Sequence, residues 1–186
     1  MSNAREQILQ TTCALLEKQG YHGTGLNEIV RESNAPKGSL YYYFPEGKEQ
    51  ITSEAVQQSS QVTSERIRLG LAESSDAAQA VHDFILKVAE NVELSGFAAG
   101  SPLTAVAMET ATKSERINLA CREAYATLQN AFREKLLEGG YPQPKAEELS
   151  LFVVASIEGG IILSRTNRNV EPLRIVARQL KILLSL

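Results

Sequence analysis

The sequence predicts an all-α fold. Apolar residues recur at spacings of three and four along the chain, no alternation of apolar and polar residues is long enough for a strand, and Gly and Pro punctuate several segment ends.

The first helix is expected over Ala4–Gln19, where Ile8, Leu9, Thr12, Leu15 and Leu16 form one stripe and Gly20 ends the run. Tyr21 then caps the core from the following loop. Thr24 reads as the N-cap of a short second helix, with Leu26, Ile29 and Val30 at i, i+3, i+4 and an end near Ser33. Asn34-Ala35-Pro36 makes the turn. Pro36 suits the first turn of a third helix, Lys37–Phe44, because its missing N–H is not needed there, and Pro45 and Gly47 stop that helix. A long helix follows from Lys48 to about Leu69. After Ser74, Ser75 and Asp76 comes another, its apolar face made of Val81, Phe84, Ile85, Val88 and Val92. "SGFAAGSPLT" at 95–104 is the irregular connection to later helices near Leu103–Thr110, Glu115–Glu138, Lys145–Asn167 and Glu171–Leu186. "GGYPQP" at 139–144 separates the second of these from the third.

With 43% hydrophobic and 22% charged residues among 186, the composition is that of a soluble globular protein of one large domain or two small ones. The longest apolar stretch, at 149–163, carries Glu158 and two glycines and falls short of a membrane span. The N-terminus lacks the apolar core of a signal peptide, so a cytoplasmic protein is expected. Cys13 and Cys121 stand in no metal-ligand or CxxC spacing and read as buried thiols of a reducing compartment. A net charge of −3 argues against indiscriminate coating of nucleic acid. The first fifty residues hold five cations against six carboxylates, so any anion-binding surface there depends on placement.

"PKGSLYYYFPEGKE" at 36–49 concentrates three of the six tyrosines. At about 100° per residue, Leu40 and Phe44 nearly coincide on the helix and Tyr42 points the opposite way, on the face that also carries Gly38. Ser39 and Lys37 lie alongside, and Lys37 and Lys48 bracket the tyrosine run. A supporting helix, then helix, tight turn, helix within about 45 residues is the layout of a helix-turn-helix DNA-binding unit. In a major groove, Gly38 would admit a close backbone approach, while Ser39 and the hydroxyls of Tyr41, Tyr42 and Tyr43 could hydrogen-bond phosphates. Thr24 could offer its hydroxyl to another phosphate. A helical subdomain with a tyrosine patch for protein contacts fits the same spacing.

The segment "GTGLNEIVRESNAPKGSLYYYFPEGKEQI" at 23–51 resembles the DNA-binding head of the TetR family of bacterial transcriptional regulators, whose pattern runs Gly-Thr, an Ile-Ala-like pair, Lys-Gly-Thr/Ser-Leu-Tyr-x-x-Phe and Lys-Glu. Gly47 before Lys48 and a late "EGG" resemble the LmrA-like and YxaF-like branch. Asn34-Ala35-Pro36 stands where Gly-Val-Ser is commoner, and Gly47 lengthens the turn before Lys48. The resemblance implies a three-helix head over 1–47 and a helical ligand-binding and dimerisation domain over 48–186. It implies DNA contacts by Thr24, Lys37, Gly38, Ser39, Tyr41, Tyr42, Tyr43 and Lys48, with Leu26, Ile29, Leu40 and Phe44 in the head core. It also implies a homodimer whose last two helices meet their copies, and a small-molecule pocket in the second domain.

For that dimer, Gly159 and Gly160 would allow close backbone approach, and Phe152, Ile157, Ile161, Leu173, Val176, Leu180 and Leu183 would supply apolar surface. Candidate pocket walls are Phe84, Val88, Phe97, Met108, Tyr125, Phe132 and Phe152, each of which also fits plain core. Glu158 interrupts an apolar helix and reads as hydrogen-bonded at the dimer interface or its rim, or as a counter-charge for a cationic ligand. Glu109, in "AVAMETA", raises the same question. The expected function is a repressor released from a palindromic operator by an apolar or cationic effector, without a cofactor. A protein-interaction module without DNA binding is the alternative. An enzyme is not expected: His22 and His82 fall in different predicted domains, and no triad, metal or phosphate-loop pattern occurs.

Overall fold

The periodic segments fold as helices throughout the described residues, 4–98 and 100–185, of a computed structural model that leaves the Lys37 side chain undescribed. In chain order they are α1 (Ala4–Gly23), α2 (Leu26–Ser33), α3 (Lys37–Tyr43), α4 (Lys48–Leu71), α5 (Ala77–Leu94), α6 (Pro102–Thr110), α7 (Glu115–Glu138), α8 (Gln143–Asn167) and α9 (Glu171–Leu184). Among the described residues no helix is long and apolar enough to cross a membrane.

Several expectations at the start of the chain are corrected. Gly20 does not end the first helix but breaks it, at φ 72° and ψ −177°, and one further turn carries Tyr21, His22 and Gly23. Tyr21 therefore lies in that turn and not in a loop. The N-cap of α2 is Gly25, with extended backbone, because the Thr24 hydroxyl is already committed to the Gly20 carbonyl at 2.7 Å. Pro36 is the N-cap of α3 and not a residue of its first turn, and Phe44, the expected last residue, is its C-cap. Asn34 takes the left-handed conformation at the α2–α3 turn, and Asp76 caps α5 by accepting from the Gln79 N–H at 2.7 Å. Helix α8 starts two residues earlier than expected, and Leu186, the expected end of the last helix, lies outside the described residues.

The chain divides into two compact units, one of Met1–Gln61 with Ser101–Tyr125, the other of Val62–Gly100 with Ala126–Leu186. In the first, α1 packs against α2, α3 and α6. Its core holds Ile8, Leu16, Ile29, Leu40, Phe44, Ile51, Val106 and Ile117. In the second, α5 lies along α9 and α8 packs on both. Val81, Ile85, Phe132, Leu136, Val153 and Leu173 fill that core. Gly160 sits where α8 meets α9: a Cβ there would lie 2.8 Å from Leu173 Cδ2, so that side chain would have to shift.

Candidate nucleic-acid interface

Helix α3 is seven residues long and is held by Leu40 within it and by Phe44 at its C-cap. Leu40 and Phe44 are completely buried, which fixes the rotation of the helix about its axis and turns Tyr41 and Tyr42 outward, 60% and 80% exposed. Tyr43 is half-buried and braces Tyr42 edge-on, with ring centroids 5.0 Å apart. Gly38 is exposed, and an added Cβ would meet nothing within 4 Å. The fold does not require glycine at that position, which leaves close approach of an external surface as a reason for it. Ser39 is half-buried, its N–H donating to the Pro36 carbonyl at 2.8 Å.

The turn after α3 does require a glycine. Gly47 sits at φ 73°, its N–H closes onto the Phe44 carbonyl at 3.0 Å, and its own carbonyl accepts from Ile51 N–H, so α4 begins at Lys48. The Lys48 ammonium lies 4.2 Å from the centre of the Tyr21 ring. Burial pulls its pKa below the usual lysine range, and the Glu109 carboxylate opposes that shift. The Tyr21 phenol is pushed up by burial and by Glu49. Arg31 is engaged by Glu28 at 3.6 Å and Glu32 at 3.0 Å, so the α2 surface offers little net positive charge.

Of the predicted DNA contacts, the structure gathers Gly38, Ser39, Tyr41, Tyr42 and Tyr43 on α3, with Lys48 just beyond the turn. Thr24 is buried, and its hydroxyl bonds within the chain. The Lys37 side chain lies outside the described residues. Asn27, which the sequence reading passed over, is exposed and shares with Arg31, Asn34 and Tyr41 a cleft between α2 and α3 of about 610 Å³. Its place opposite Ile29 on a short amphipathic helix was the available signal.

The proposed pocket residues fall in both units. Phe84 and Phe132 meet edge-on with centroids 5.7 Å apart, and Val88 and Phe97 are half-buried, all in the second unit. Met108 and Tyr125 belong to the first, Met108 being 78% exposed and Tyr125 donating to Thr104 Oγ1 at 3.3 Å. Phe152 is exposed and lines a groove of about 500 Å³ with Leu149, Leu151, Ala155 and Leu183. Glu109 is half-buried on α6, and its Oε2 accepts the His22 backbone N–H at 2.8 Å. Glu158 is half-buried on α8.

Among the residues offered for a dimer, Ile157, Gly160, Leu173 and Leu180 are buried within their own unit, because the stripe through Val153, Ile157 and Gly160 faces inward. Gly159, Ile161 and Val176 are half-buried, and Phe152 and Leu183 are exposed. The open apolar face also contains Leu151, Ile162 and Leu163 on α8 and Ile175 and Ile182 on α9. Their recurrence opposite the inward stripe was readable in the sequence. Among the described residues, no group of three or more His, Cys, Asp or Glu is placed to hold a metal ion.

Comparison with known proteins identifies the family of the chain. Residues 8–55 match the bacterial regulatory proteins of the tetR family, and residues 77–179 match the LmrA/YxaF-like transcriptional regulator C-terminal domain. The HTH-type transcriptional regulator YxaF of Bacillus subtilis (strain 168) is 40% identical over 181 residues, covering 97% of this chain and 95% of that protein. The regulator LmrA of the same organism is 41% identical over 171 residues, covering 92% and 91%. The crystal structure of regulatory protein TetR from Rhodobacter sphaeroides shares the fold, with a TM-score of 0.84 at 18% identity over 97% of this chain and 98% of that one. The chain is a DNA-binding transcriptional regulator of the TetR family, with an LmrA/YxaF-like C-terminal domain.

Proposed function

We propose that the protein is a homodimeric repressor that grips an inverted-repeat operator through α3 and is released by a small apolar or cationic molecule held in its second domain. The observation that carries the DNA part is the outward face of α3, where Gly38, Tyr41 and Tyr42 stand clear while Leu40 and Phe44 lock the helix from behind. On this reading residues 1–47 are the DNA-binding domain and 48–186 sense the ligand and dimerise. The large apolar side chains left open on α8 and α9, of which Leu151, Phe152 and Leu183 line one groove, support the dimer, since such surface is more stable in water when a partner covers it. Two-fold symmetry then sets the heads about one helical turn of DNA apart, roughly 34 Å.

The test is a duplex selected by the protein from a randomised pool, followed by gel shift with Tyr42→Ala. Specific affinity should fall by about 1–3 kcal/mol, the loss of one positioned contact. Undiminished affinity in a folded variant removes α3 as the reading element.

A further inference from the structure

The break in α1 is where the head meets a helix from far along the chain. At Gly20 the backbone enters a region that is essentially closed to residues with a Cβ. A Cβ at Gly20 would also overlap Glu109 Oε1 and lie 2.9 Å from Glu109 Cδ, so the carboxylate of α6 occupies the space the missing side chain leaves. The break interrupts the helical run, and the groups around it find other partners. Thr24 Oγ1 donates to the Gly20 carbonyl at 2.7 Å, and Glu109 Oε2 takes the His22 N–H at 2.8 Å. Lys113 Nζ stands 3.1 Å from His22 Nε2 in the same corner. Between these residues lies Tyr21, whose ring carries the Lys48 ammonium at 4.2 Å.

We propose that Glu109 is a positioning residue: it ties the broken turn of α1 to α6 and, through the Tyr21 ring, seats Lys48 at the start of α4 for contact with a DNA phosphate. The carboxylate makes a charge-assisted bond to an amide beside the residue that bears the ring, so the position of α6 determines where that turn sits. When α6 shifts, the His22 N–H loses its acceptor, the Tyr21 turn loosens and Lys48 loses its platform. The seating of Lys48 in turn decides whether its charge is held toward the α3 side of the head or spread over solvent-exposed rotamers. The phosphate step rests on the reading of the head as the DNA-binding part. The tie between α6 and α1 does not.

The experiment uses the full chain in three variants and reads three quantities. In Glu109→Ala the His22 amide should exchange with solvent about tenfold faster, as loss of one charge-assisted hydrogen bond produces. The ring-current shift of the Lys48 side-chain resonances should collapse, and affinity for the pool-selected duplex should fall by about threefold to tenfold. Glu109→Gln retains an acceptor oxygen and should keep His22 exchange within about threefold of the parent. Tyr21→Leu should lose the Lys48 shift and the same DNA affinity while leaving His22 exchange unchanged, whereas Tyr21→Phe should behave as the parent. Unchanged His22 exchange in Glu109→Ala overturns the tie. A lost tie with Lys48 resonances and duplex affinity unmoved overturns the seating of Lys48. If the parent selects no duplex at all, the DNA reading fails and the phosphate step with it, while exchange at His22 still judges the tie.

Discussion

At the scale of single residues, the buried Thr24 hydroxyl donates to the Gly20 carbonyl and so holds the broken end of α1 together. A Thr after a Gly and before an amphipathic run has the features of an N-cap, and nothing in the spacing says that the carbonyl four residues back is left open by a glycine break. The structure puts the hydroxyl on that carbonyl, in a site 1% exposed. Thr24→Val should therefore cost about 1–3 kcal/mol, since the Gly20 carbonyl is left without its donor, and urea unfolding would register this as a lower midpoint at constant slope. At a temperature where the variant is folded its operator affinity should match the parent, and a selective loss of DNA binding would reinstate Thr24 as a contact. Lys48→Ala has the opposite signature. It should leave stability within about 1 kcal/mol, weaken all duplexes evenly, and reduce the slope of log affinity against log salt by about one, which a fluorescence titration at several salt concentrations measures. Of the two cysteines expected to be buried, Cys121 is, whereas Cys13 is half-buried with its Sγ donating to the Ala55 carbonyl at 3.2 Å. Burial pushes Cys13 and Cys121 each up to about 11, so both remain protonated at neutral pH. Iodoacetamide at pH 8 should label them only after unfolding.

At the scale of elements, amphipathic periodicity and terminal chemistry were enough to place the helices, because each helix buries one stripe and most ends carry Gly, Pro, Asn or Asp. Tertiary choice was not encoded there. Helix α8 has apolar residues on two faces, and spacing alone cannot say which face turns toward its own chain. Packing resolves this: Val153, Ile157, Gly160 and Ser164 turn inward, while Leu151, Phe152, Ile162 and Leu163 stay open. The two glycines, equivalent by sequence, separate accordingly. A Cβ at Gly160 would strike Leu173, and one at Gly159 would meet nothing within 4 Å. If the open face is the dimer contact, Phe152→Glu combined with Ile182→Glu should raise the dimer dissociation constant at least about a hundredfold, because two charges would be buried without partners. Light scattering at micromolar concentration should then report monomer. Gly160→Ala should lower stability by about 1–3 kcal/mol through overpacking and leave the subunit contact in place. A dimer untouched by the double charge substitution would move the interface elsewhere.

At the scale of the whole molecule, motif and packing draw different lines through the chain. The helix-turn-helix pattern suggests a boundary at residue 47, whereas compactness groups Ser101–Tyr125 with the head segment because α6 lies against α1. That contact joins residues nearly ninety apart in sequence, as in the His22–Glu109 bond, and local patterns carry no trace of it. Helices α4 and α7 each begin in one unit and end in the other, so covalent structure links the proposed sensing region to the head. The repressor reading then makes a thermodynamic demand. A ligand that weakens operator binding a hundredfold must prefer the DNA-incompetent form by about 2.7 kcal/mol, and DNA must weaken the ligand by the same factor. Tight binding without that preference shifts nothing. A thermal-shift screen of apolar and cationic compounds identifies ligands, and titration of each into the protein–duplex complex measures the coupling. Phe84→Ala and Phe132→Ala, which remove the edge-on pair in the second unit, should each weaken a pocket ligand while leaving ligand-free operator affinity within about threefold of the parent. Compounds that stabilise the protein yet leave the complex intact, together with equal reciprocal affinities, would leave a DNA-binding regulator without a small-molecule switch.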